Sequence, residues 1–229
     1  MQKHTVDVPG AEEFASRPRS RGDFFKTLAA ASVGAAAGSV LLSRKAFAQS
    51  SDVDIFNFAL TLEYLEAEFY GLALDAGVLS GDALAVVEAL FDHESQHVDA
   101  IIGALEDAGA TPVAKPEFVF PDDAFTSQAG VLELAATFEP VGVGAYLGAA
   151  PLIQEGTLLA AAGSIAGVEG EHVVAVNNLL GVVPPAAEAF PAALTMDEVL
   201  AAVAPFIMGG MMETGGQQKY RDRTSFGRV

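Results

Sequence analysis

The chain has 229 residues, with 30 acidic against 12 basic side chains, a formal net charge of −18, and neither Cys nor Trp. An apolar share of 51% with positive mean hydropathy points to a packed core and excludes an acidic disordered chain. So negative a chain lacks the clustered Lys and Arg of a nucleic-acid surface, and without Cys it has no disulfide, Cys-ligated zinc, iron–sulfur cluster or thiol nucleophile.

Residues 1–48 hold seven of the basic residues, whereas 49–218 hold only Lys115. Arg17 to Lys26 is basic, Thr27 to Leu42 is uncharged and rich in Ala and Gly, and Ala46-Phe47-Ala48 supplies a small-x-small cleavage site. Together they predict a signal peptide over 1–48; the apolar run is shorter than the about 20 residues of a membrane span. Ser20-Arg21-Gly22-Asp23-Phe24-Phe25-Lys26 resembles the twin-arginine export motif, with Gly22 where its second arginine stands. The translocon stays open. The expected mature protein is exported to the periplasm or beyond, has no membrane span, and carries a net charge of −21.

From Ser51 onward the pattern predicts long helices. Ser51 with Asp54 forms a capping box for the first, which runs to Leu74 before Gly77. The second covers about Asp82 to Asp107, stopped by Gly109 and Pro112. The third begins near Ser127 and fades around Gly148; the fourth spans Ile153 to Leu180, before Gly181 and Pro184-Pro185. A short helix follows the capping box Thr195-Met196-Asp197-Glu198. Glu117-Phe118-Val119-Phe120 is the one strand candidate. The tail 208–229 is Gly- and Met-rich, then basic; it reads as flexible, and its charge suits contact with the acidic body of a second copy.

Short turns within the first and second helix pairs favour antiparallel neighbours. A 26-residue helix is about 39 Å long, and the 18 residues from Gly109 to Thr126 reach roughly 55–60 Å when extended. The link can therefore return along the whole bundle. We expect an all-α bundle: two helical hairpins joined by one long crossover, with a short C-terminal helix, over residues 49–207.

Each apolar row carries charge at its middle. The first helix gives Phe56, Leu60, Glu63, Ala67 and Tyr70; the second gives Leu84, Val87, Phe91, Glu94, His97, Ile101 and Leu105. The third gives Val131, Ala135, Glu139, Gly142 and Tyr146; the fourth gives Leu158, Ala162, Ile165, Glu169, His172, Val176 and Leu179. The halves repeat: Glu63 and Glu139 each precede a Tyr by seven residues, and Glu94-x-x-His97 matches Glu169-x-x-His172. Glu66 can also face inward and is the alternative to Glu63. Glu68 points away, and His93, beside the row, reads as helix surface or a supporting group.

Four carboxylates in a low-dielectric core resist ionising unless cations neutralise them. Two divalent ions balance them, and the i, i+3 spacing brings Glu and His to one ion. Carboxylate oxygen and imidazole nitrogen without sulfur suit iron or manganese, held about 3.5–4 Å apart by bridging carboxylates. Tyr70 and Tyr146 are placed to hydrogen-bond the ligands or to donate an electron. Pro140 removes the bond to the Ala136 carbonyl, and we expect a kink or π-bulge there to open space beside Glu139.

One Glu from each of two helices plus Glu-x-x-His from the other two resembles the di-metal carboxylate centre of the ferritin-like superfamily. Glu169-Gly-Glu-His172, the Gly181 stop and the Phe190 to Phe206 tail resemble exported ferritin-like domain proteins of the desiccation-related type. The ligand pattern is also similar to bacterioferritins, rubrerythrins and manganese catalases. The resemblance implies an oxidoreductase acting on peroxide or O₂ in stress protection, or a metal-binding stress protein without turnover.

Overall fold

Ser51 caps the first helix, α1 (Asp52–Asp75), in the expected reciprocal box with Asp54. A turn through Gly77 and Gly81, both at positive φ, reverses the chain into α2 (Gly81–Asp107). α3 spans Gln128–Ala149 with Ser127 as its cap. α4, Gly156–Leu179, starts three residues later than the pattern suggests, because Ile153, after a 3₁₀ turn at Ala150–Leu152, is extended and Glu155 takes the capping role. Thr195 and Glu198 box the start of α5 (Met196–Val203). The computed structural model describes residues 51–182 and 189–208, so the expected export segment (1–48) and the tail from 209 onward lie outside the described residues.

The architecture is an all-α four-helix bundle with α1 packed along α2, α3 along α4, and cross-contacts between α1 and α3 and between α2 and α4. The crossover can be followed along it. Val113 donates its amide to Asn57 near the start of α1, Lys115 pairs with Glu68 further on, and Phe120 and Phe125 pack on Phe69. At the far end the Ser80 amide bonds the Gln128 side chain. At the near end, Asp52 receives the amides of Gln154 and Glu155. α1 and α3 are therefore antiparallel, as one long crossover between hairpins requires.

The strand candidate is reduced to one antiparallel bridge, Phe118 with Ile207, flanked by amide bonds from Val119 to Phe206 and from Met208 to Glu117. This stitch ties the C-terminal turn to the crossover. Phe138 meets Phe69 and Phe206 edge-on, at centroid distances of 5.1 and 4.8 Å. Covered on several sides, α1 buries residues around most of its circumference, including both Glu63 and Glu66. Phe91, expected on the inward row of α2, is 37% exposed and lies over Gly71.

α3 stays α-helical through Pro140, without a π segment. The π-bulge alternative is thus absent; Pro140 itself is exposed, on the side where water can serve a freed carbonyl. By length and composition α4 can span a membrane. Here it packs along α3 and carries Glu169 and His172 into the interior.

Candidate metal centre

α1 contributes Glu63, α2 Glu94 and His97, α3 Glu139, and α4 Glu169 and His172, all between 0 and 8% exposed. Ligand atoms of Glu63, Glu94, His97 and Glu169 lie within 4.8 Å of one another. So do those of Glu94, Glu139, Glu169 and His172. The structure thus gathers all six predicted residues into two overlapping groups that share Glu94 and Glu169. Either group could hold a metal ion.

Both imidazoles turn Nδ1 inward. His97 Nδ1 is 3.1 Å from Glu63 Oε2 and from Glu94 Oε2, and 3.2 Å from Glu169 Oε1. His172 Nδ1 is 2.9 Å from Glu94 Oε1 and 3.2 Å from Glu139 Oε2. The His172 contacts are close but lack the alignment of a hydrogen bond. Its Nδ1, Glu94 Oε1, Glu139 Oε2 and both oxygens of Glu169 find no hydrogen-bond partner among the described residues. A purely structural polar core leaves few such orphans. Metal cations among these oxygen and nitrogen donors would satisfy them together, so the residues fit metal binding.

Burial pushes Glu94 well above the usual carboxylate range, with the Glu169 charge adding to it. Burial likewise lifts Glu139 to about 7, against the pull of His172. On Glu169 burial is outweighed by His172 and His97, which hold it at about 2. The imidazoles respond in kind: burial depresses both, but the surrounding carboxylates raise His97 and His172 to about 12. Without metal the cluster therefore retains protons at neutral pH, where bound cations would replace them.

The tyrosines act across the bundle. Tyr70 of α1 donates its hydroxyl to Glu139 Oε1 of α3, and Tyr146 of α3 donates to Glu63 Oε1 of α1. The equal seven-residue spacing on two antiparallel helices produces this crossing: each half supplies the hydrogen bond that steadies the other half's carboxylate. Burial first, then the adjacent carboxylate, raises both phenols well above their ordinary value, so they remain donors.

Two side chains belong to the centre that the pattern left open. Glu66 is buried, and burial first, then the charges of Glu169, Glu94, Glu139 and Glu63, raise its carboxyl well above the usual range. Both alternatives for α1 therefore face inward. His93, read chiefly as surface, places Nδ1 2.9 Å from His172 Nε2 with the rings stacked. Its position four residues before His97, on the same helical face, is the signal that marks it. Tyr146 also lines an apolar pocket of about 380 Å³ with Phe56, Ala59, Leu62, Ala162 and Leu194.

A family model described as a ferritin-like domain matches residues 51–182, more than half of the chain, and a search of curated proteins found no match. The match ends just beyond α4, so it spans the four helices that supply every residue of the buried cluster. On that coverage, and on the bundle it describes, the chain belongs to the ferritin-like domain family.

Proposed function

We propose that this chain is an exported di-metal oxidoreductase, with iron or manganese, that consumes peroxide or O₂ in stress protection. The observation that supports it most is the pair of four-residue donor groups sharing Glu94 and Glu169, since shared carboxylates hold two ions at the separation of one small oxidant. When bound, a redox-active metal pair supplies the electrons that cleave an O–O bond.

The chain's residues would hold and insulate that pair. Glu63 and Glu139 are oriented by Tyr146 and Tyr70, and His172 by the His93 ring nitrogen facing its Nε2. The near-complete burial of the carboxylates keeps bulk water away and strengthens their hold on cations. The apolar pocket reaching Tyr146 offers a small uncharged oxidant such as H₂O₂ or O₂ an approach from α1 and α3. Conversion of two H₂O₂ to O₂ and two H₂O needs no outside electron donor, which suits an exported protein without Cys.

The test loads metal-depleted protein with Mn²⁺ or Fe²⁺ and follows peroxide loss and O₂ release. Turnover in proportion to bound metal is expected. Stoichiometric metal with no consumption of peroxide or O₂ would replace this function with metal binding alone.

A further inference from the structure

The first and third helices repeat each other around the cluster, but one inward position breaks the repeat. A shift of 76 residues carries Glu63 to Glu139 and Tyr70 to Tyr146, but it carries Glu66 to Gly142. The exception has a steric cause. A Cβ on Gly142 would lie 3.1 Å from Glu169 Oε2 and 3.4 Å from Glu66 Oε1, so these two carboxylates already fill the space a side chain would need. Only one extra carboxylate fits between α1 and α3, and α1 provides it.

Its surroundings say where it sits. Glu66 is 4% exposed, and its Oε1 borders the Gly142 clearance together with Oε2 of Glu169, a carboxylate common to both donor groups. Glu66 therefore lies beside a carboxylate that both groups share. A fifth ionised carboxylate in such a place is costly for a metal-free protein, because burial and four like charges oppose it.

We propose that Glu66 is a seventh metal ligand, a third carboxylate facing both cation positions from the α1–α3 side. This rests on the metal centre argued above. Glu66 and Glu63 then act together, and Gly142 is the clearance that lets both reach the metals. The set carries five carboxylates, one more than two divalent ions neutralise, so it favours a pair whose total charge exceeds +4.

Glu66→Gln tests this, because the amide keeps the shape of a protonated carboxyl and removes the ability to bind as an anion. Metal-depleted wild type and variant are titrated with Mn²⁺ by calorimetry, with circular dichroism reporting the fold. Wild type should take up two ions, and Glu66→Gln should weaken at least one step by about tenfold or more. Equal stoichiometry with affinities within about twofold of wild type would overturn the proposal, leaving Glu66 a neutral core acid. If the variant does not fold, a manganese-loaded crystal of the wild type decides: a Glu66 oxygen in the coordination sphere supports the proposal, and six other ligands without Glu66 contradict it. Wild-type protein that takes up no metal would remove the centre itself, and this proposal with it.

Discussion

His172 shows how one ligand is controlled from outside the cluster. Its Nδ1 faces three carboxylates, so its Nε2 must carry the proton if Nδ1 is to bind a cation, and His93 stands ready to accept it. The corresponding position in the second half, relative to its Glu-x-x-His, is Val168, which accepts no hydrogen bond. We expect His93→Val to lower metal affinity by about 10-fold or more without a matching loss of thermal stability in the metal-free protein. His93→Gln, which restores an acceptor, should recover part of it. Calorimetric titration with Mn²⁺ reads both, and equal affinity in the valine variant would mean the contact is idle. The six principal donors were legible because each sits at the midpoint of an apolar row, where an unpaired charge is unaffordable. Glu66 and His93 were not, since the sequence shows that two acids can face inward but not whether both fit. That answer lies in Gly142, on another helix.

At the scale of elements, the helices, including the short C-terminal one, and the crossover followed from periodicity, caps and chain length, but the seating of the C-terminal segment did not. After α4 the chain returns to lie on a glycine face of α3, where Leu194 donates its amide to the Gly144 carbonyl. A Cβ on Gly148 would stand 1.7 Å from the Leu194 carbonyl oxygen, and one on Gly144 2.5 Å from the Leu194 side chain. Nothing local in α3 announces this, because a helical glycine reads only as a weak helix former until its neighbour is known. Gly148→Ala should force the backbone around Leu194 off α3 and cost about 1–3 kcal/mol, a fall of several degrees in melting temperature. An unchanged melting temperature would show that this segment does not hold to α3 in solution. Pro140 makes the opposite point: a residue that breaks helices on average is accommodated on an exposed side.

For the whole molecule, the cluster predicts opposite pH responses with and without metal. In the metal-free protein Glu139 is raised to about 7 and both His97 and His172 to about 12, each above its unfolded value. Raised groups bind more protons folded than unfolded, so their contribution is complete below the unfolded value and is lost as pH rises through the folded one. For Glu139 the loss runs from about 4.5 to about 7, and for the two histidines from about 6.5 upward. Glu169, held at about 2, acts the other way but only below its ordinary 4.5. Metal-free protein should therefore become less stable between pH 5 and 8. With excess Mn²⁺ the trend should reverse, because cations displace the protons more easily as pH rises. Melting curves at both pH values, with chelator and with Mn²⁺, check this; parallel trends would mean the protons and the metal do not compete for the same atoms.

The same competition bears on the large negative charge. Five of the acids, Glu63, Glu66, Glu94, Glu139 and Glu169, are drawn into the interior, and the remaining surface carries acid with almost no Lys between residues 49 and 218. Such a surface raises the local concentration of cations near the bundle. The most direct measurement is elemental analysis of the natively produced protein, beside a Glu169→Ala variant that removes a carboxylate common to both positions. We predict close to two iron or manganese ions per chain in the wild type and near-complete loss of both in the variant. A wild type purified without either metal and unable to take one up, or a variant that still holds two, would contradict the account.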